Sequence, residues 1–156
     1  MDTSHIEALI GNWMGPSTLF LDEDRYESDS TADVRFVGQR KFIAFAYTWQ
    51  WGDKPQDGLI LIPTKLGPEP AVAPWLDSWH LQTEIMVCEA TQDPEGIISL
   101  LGSYPAPPGP DWGWRIEVTS PVGGMFDLRM YNLTPPGQEV LAVHTQYRKD
   151  GAGGFD

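Results

Sequence analysis

After Gly11 the helical period of apolar residues never returns. Short runs of β-branched and aromatic residues alternate instead with clusters of Pro, Gly and Asp, among them "WGDKPQDG", "TQDPEG", "PAPPGPDWG", "SPVGG" and "TPPGQ". Such clusters punctuate strands: Gly reaches left-handed φ without a steric cost, Pro fixes φ, and Asp bonds its neighbouring backbone. The pattern predicts strands near 12–21, 31–38, 40–51, 57–64, 73–80, 82–90, 96–104, 112–119, 124–132 and 138–148. Many sequential hairpins with no helix between them make an antiparallel meander, and closing that sheet removes its unpaired edges. The fold class expected is therefore all-β, a single antiparallel barrel of about 8–10 strands, with a two-sheet sandwich as the alternative.

One helix precedes the strands. Ser4 and Glu7 form a capping box, Ile6, Leu9 and Ile10 give a short apolar stripe, and Gly11 suits a helix end. This short helix is expected to plug one end of the barrel. A chain of 156 residues suits one domain, taken as 1–150, with 151–156 as a flexible tail.

Composition narrows the function classes. Hydrophobic residues are 41% of the chain and include seven tryptophans, which is enough for a packed core and argues against disorder. No apolar run approaches the roughly 18–20 residues of a membrane span, and "MDTSHIEALIG" is too polar for a signal peptide. The single cysteine, Cys88, has no intrachain disulfide partner, which fits a reducing cytoplasm. A net charge of −12 repels phosphate backbones and anionic lipid, so neither nucleic acid nor membrane is an expected partner.

Alternation along the strands separates two kinds. In 112–119, Trp112, Trp114, Ile116 and Val118 oppose Arg115, Glu117 and Thr119; in 124–132, Phe126, Leu128 and Met130 oppose Asp127, Arg129 and Tyr131. The stretch 40–51 is apolar on both faces, with Phe42, Ala44 and Ala46 against Ile43, Phe45, Tyr47, Trp49 and Trp51. A strand of that kind is covered on both sides, so the helix or a second copy in a homodimer is expected over its outer face.

The opening "LIGNWMGPSTLFLD" resembles the first strand of lipocalins and their calycin relatives, in which a short helix leads into a Gly-x-Trp motif, here Gly11-Asn12-Trp13. The resemblance implies that Trp13 packs at the closed end of the barrel under Arg148. The order "GNWMG", "FAYTWQWGDKPQDG", "WLDSWH", "GPDWGWRIEV", "RMYNLTPPGQE" is similar to a bacterial group of calycin-like barrels known only as a domain of unknown function. It implies a fold and a pocket without an activity. Nitrobindin-type haem barrels are a more distant resemblance. They ligate haem through a His at the start of the final strand, whereas His144 sits mid-strand in "EVLAVHTQYRK", so no haem or other cofactor is expected.

The densest chemistry is "WLDSWH", residues 75–80. On a regular strand Trp75, Asp77 and Trp79 share one face and Ser78 and His80 the other. Asp77 and His80 would then make no acid–base dyad without a bulge, and no Gly-x-Ser-x-Gly elbow supports Ser78 as a nucleophile. Two indoles flanking a carboxylate either form a pocket wall with one polar anchor or are ordinary core. The scattered His5, His80 and His144, with no Cys pair, do not make a metal site. A tight turn at 120–122 would set Arg115 opposite Asp127. That ion pair is either structural or kept for a ligand's polar head, as in fatty-acid-binding barrels, which the Arg129-Met130-Tyr131 spacing resembles.

The function expected is binding of a small hydrophobic or amphipathic molecule inside the barrel, with Trp75, Asp77, Trp79, Arg115, Tyr131 and Tyr47 as ligand contacts. One alternative is a pocket enzyme, a lyase, isomerase or cyclase, using Asp77 or His80 as general acid/base. The other is a filled barrel acting as an interaction domain through 40–51.

Overall fold

Ten antiparallel strands close into one barrel in the computed structural model, which describes residues 4–150. The expected tail, 151–156, lies outside the described residues. The strands are β1 (Gly11–Leu21), β2 (Asp24–Val37), β3 (Phe42–Trp51), β4 (Lys54–Pro63), β5 (Ala71–Asp77), β6 (Met86–Gln92), β7 (Ile98–Tyr104), β8 (Trp112–Val118), β9 (Met125–Leu133) and β10 (Glu139–Lys149). Each pairs with its sequence neighbour, and β1 pairs with β10 to complete the ring, with Ser17 opposite Thr145 and Trp13 opposite Lys149. Alternation delivers the core: Ile43, Phe45, Ile60, Ile62, Leu100, Ile116 and Leu128 point inward and are buried.

Helix α1 (Ser4–Leu9) is too short to persist alone. It is held by burial of Ile6 and Leu9 and by Trp13 Nε1, which donates to the Leu9 carbonyl at 2.8 Å. Its other contacts reach Ser120 through His5 and Arg40 through Glu7, both in connections at the same barrel end. The helix therefore caps that end, as expected. It does not lie over β3, whose outer face carries the partly exposed Phe42 with Ala44 and Ala46.

Several boundaries and registers differ from the sequence expectation. β2 starts at Asp24, because its polar half "DRYESDS" pairs in register with β1 down to Leu21–Asp24; polar residues, most of them exposed, read as loop although their backbone is fully laddered. β5 ends at Asp77 and β6 begins at Met86, so 78–85 is connection and not strand. The β8–β9 hairpin turns at Gly123–Gly124, both with positive φ, and not at 120–122. Two adjacent glycines supply the left-handed pair that a tight hairpin wants. One extra residue lies on the β8 side between the Thr119–Asp127 pair and the Val122–Met125 pair, so that Arg115 faces Tyr131 and Glu117 faces Arg129. At the closed end the cation over the Trp13 ring is Lys149, with Nζ 4.6 Å from the ring centroid, and Arg148 is exposed. Strand parity explains the change: with Tyr147 buried inside, Arg148 must point out and Lys149 back in.

Candidate functional site

At the end opposite α1, the chain leaves β5 at Asp77 and turns back across the barrel mouth. Asp77 is 1% exposed. Its Oδ1 accepts the backbone N–H groups of Trp79 and His80, both at 2.8 Å, and its carbonyl accepts from Leu81 N–H at 3.0 Å. A side chain that takes the next backbone donors in this way nucleates a turn. Strand parity therefore stops at Asp77, and both Trp79 and His80 fold over the mouth instead of taking opposite faces.

The other oxygen, Oδ2, accepts from the Tyr47 hydroxyl at 2.7 Å and from Trp49 Nε1 at 3.1 Å, and the Tyr47 oxygen in turn accepts from Trp75 Nε1 at 2.9 Å. Four donors thus converge on one carboxylate. That saturates its four lone-pair positions and leaves Asp77 no free acceptor for general-base work. Burial, followed by the neighbouring Asp77 charge, pushes the Tyr47 phenol well above its usual range. Asp77 and Tyr47 are the supports of the mouth.

His80 differs. Its ring lies among those of Trp49, Trp75, Trp79 and Trp114, with centroids 4.9–5.8 Å away. Among the described residues neither ring nitrogen has a hydrogen-bond partner, and neither is sealed from solvent. Burial lowers the imidazole below its ordinary range, opposed in part by Asp77, so the ring is neutral at neutral pH.

His80 separates two spaces. Below it lies an inner chamber walled by Ser17, Ser30, Tyr47, Asp77, Thr145 and Tyr147, with about 20 Å³ open to water, room for about one molecule. Its hydroxyls are largely paired, Ser17 with Thr145 and Ser30 with Tyr147, each at 2.7 Å. Above it lies a vestibule of about 470 Å³ at the barrel mouth, walled by Leu19, Trp75, Trp79, Met86, Tyr104 and Trp114 and edged by Glu84 and Asn132. Trp75 and Trp114 stack in parallel, 5.4 Å apart. The indole N–H of Trp114, a residue only 6% exposed, has no acceptor.

The predicted site residues thus divide. Trp75, Trp79 and His80 line the vestibule, while Asp77 and Tyr47 lie beneath it. Arg115 and Tyr131 are not brought to either space: on the outer face Arg115 stacks on Tyr131 and donates to Glu139 at 2.8 and 2.9 Å. The alternation that turns Trp114 and Met130 inward places them there. His144 also faces outward, its Nε2 2.9 Å from Asp127 Oδ1. Sequence reasoning missed Trp114, Tyr104 and Asn132 as wall residues. Gly58, in the otherwise apolar "GLILIP", was the available sign of the close approach of Tyr47 that supports Asp77, not of these wall residues.

The family model described as "Protein of unknown function (DUF1579)" matches residues 3–149. No curated protein matches the chain. Among solved structures it is similar to Rv2717c from M. tuberculosis, at 13% identity over 93% of this chain and 94% of that one, with a TM-score of 0.61; at that identity the likeness concerns the fold.

Proposed function

Since the chain belongs to DUF1579, a family without an assigned activity, its role rests on its own geometry, and we propose that the mouth of the barrel binds a small, largely apolar molecule with a polar end. The observation that carries this reading is the vestibule itself: indole, phenol and thioether walls over a neutral imidazole with both nitrogens unpartnered. Mostly apolar concavities with a few convergent polar groups are where proteins hold small ligands. The inner chamber, with room for about one water, contributes polarity but no ligand volume, so the molecule sits at the mouth and not deep in the barrel.

A test is displacement of Nile red, an uncharged dye, together with native mass spectrometry of protein purified from its host. The dye should bind with a blue-shifted emission that Trp79→Ala weakens and Val72→Ala, on the exposed outer face, leaves alone. Equal binding by both variants would place the dye elsewhere and remove the reading.

The geometry also favours His80 over Asp77 as the group for any proton transfer at this site. His80 is neutral and unpartnered, while the oxygens of Asp77 are fully engaged. A pH-dependent turnover of a bound compound, lost in His80→Gln, would establish that role.

A further inference from the structure

We propose that the polar end of the vestibule ligand is an uncharged hydrogen-bonding group, an alcohol, ketone or amide, and that the site rejects carboxylates and phosphates. This inference rests on the reading of the vestibule as a binding site.

Charge gives the first argument. Among the described residues lining the vestibule or the inner chamber, none is lysine or arginine. The acids present are Glu84 at the edge and Asp77, whose Oδ1 holds the turn that carries His80. Arg115 and Arg129 lie on the outer face, committed to Glu117, Glu139 and Asp127. An anion seated among the indoles would lose its hydration, find no lysine or arginine in the lining and meet the Asp77 charge through a low-dielectric wall.

The ring arrangement gives the second. A cationic head would need open indole faces, yet these rings engage one another: Trp75 stacks on Trp114, Trp79 packs against Trp49 and Trp51, and His80 touches all but Trp51.

The unsatisfied atoms give the third. A neutral imidazole offers one donor and one acceptor, and both His80 nitrogens lack partners. The Trp114 N–H, on a ring whose centroid is 5.3 Å from that of His80, also lacks an acceptor but is sealed from solvent, so the set open to a ligand is that of the imidazole. A hydroxyl or amide complements that set, and a ketone complements its donor. Burial holds the imidazole neutral, so it offers no charge to an anion.

The experiment titrates the protein by calorimetry, at neutral pH, with naphthalene, 2-naphthalenemethanol, 2-naphthoate and 2-naphthylmethyl-trimethylammonium. The alcohol should bind more tightly than the hydrocarbon and at least about tenfold more tightly than the carboxylate or the ammonium. His80→Phe should reduce the alcohol to the level of naphthalene, while His80→Asn, which keeps a donor and an acceptor, should retain part of the preference. Each ratio is measured within one folded variant, so a general loss of stability does not imitate the result. Equal or tighter binding of the carboxylate or the ammonium, or an alcohol preference untouched in His80→Phe, overturns the inference while the vestibule stands. Failure of all four probes to bind removes the vestibule reading and the inference with it.

Discussion

The Tyr47 hydroxyl reaches Asp77 Oδ2, 2.7 Å away, across the backbone of Gly58. The three residues form one row over β3, β4 and β5: Tyr47 pairs with Gly58, and Gly58 with Asp77. A Cβ at position 58 would lie 2.3 Å from the phenol ring. The glycine is thus the space through which one strand holds the end of another.

Gly58→Ala is the first prediction. The added methyl must displace the Tyr47 ring and lengthen its bond to Asp77, so the loss should be about 1–3 kcal/mol by urea unfolding, the usual range for overpacking a filled core. Near-UV circular dichroism should change as well, because Trp49 and Trp75 bond to the same network. An unchanged unfolding midpoint would mean that the row relaxes freely.

The network itself makes the second. Tyr47→Phe deprives Asp77 of one donor and Trp75 Nε1 of its acceptor, costing about 1–3 kcal/mol. Asp77→Ala strips four donors of their acceptor at once, and should cost about 3–4 kcal/mol. It should also unfasten the 78–83 turn, visible as faster amide exchange at Trp79 and His80. Equal effects of the two substitutions would contradict the central place given to the carboxylate.

Much of the barrel was legible because its signals are local. Pro/Gly/Asp clusters mark the hairpins, and period-two alternation marks the inner faces of β8 and β9, so all ten strands fall near their expected places. The site was less legible because it depends on where alternation stops. "WLDSWH" reads as a strand by composition, but Asp77 captures the next two backbone N–H groups and ends it. That choice depends on Tyr47 and Trp49, thirty and twenty-eight residues away in sequence, and no local pattern reports it. Arg115 lies outside both spaces because the alternation that buries Trp114 and Ile116 turns it to the outer face, and the hairpin register changes only which charges it meets there. The vestibule tryptophans were visible as residues but not as an assembly, because Trp75, Trp79 and Trp114 meet only once β5 and β8 curve into the same mouth.

His80 sets a pH dependence, the third prediction. Burial lowers its folded-state value below the ordinary 6.5, so between those two values the unfolded chain takes up the proton and the folded protein does not. Stability from this residue is then complete above about 6.5, falls as pH drops toward the folded value, and levels off below it, with a slope of up to about 1.4 kcal/mol per pH unit. His80→Phe should flatten that part of the profile, measured as the wild-type-minus-variant difference in unfolding free energy across the window. A difference that stays constant or grows with acidification would show that the imidazole is not held neutral.

The outer charges behave differently, and Arg115→Ala tests them. Arg115 contacts Glu139 and Glu117 at partly exposed positions, where ion pairs contribute at most about 1 kcal/mol and weaken with salt. The substitution should move stability by no more than that and leave Nile red binding unchanged. A large loss of dye binding would return Arg115 to the ligand site and contradict its position on the outer face.

Cys88 supplies the last prediction, because its chemistry reports on the β5–β6–β7 segment. The thiol is buried on the inner face of β6, which pairs it with Ala73 of β5, and together with the Met86 side chain it overlies Gly102 of β7. Burial pushes its pKa up to about 11, which leaves little of the thiolate that reacts with alkylating reagents at neutral pH. Both access and ionisation therefore require the strands to part. Labelling by iodoacetamide should be slow in buffer and rise with urea in proportion to the unfolded fraction. Asp77→Ala and Gly58→Ala should accelerate it by the same factors as their losses of stability. If Cys88 labels quickly in the intact wild-type protein at a rate insensitive to urea, then the β5–β6–β7 segment opens locally. Since β5 carries Trp75 and Asp77, that outcome would make the mouth of the barrel a mobile element instead of the rigid wall on which the vestibule depends.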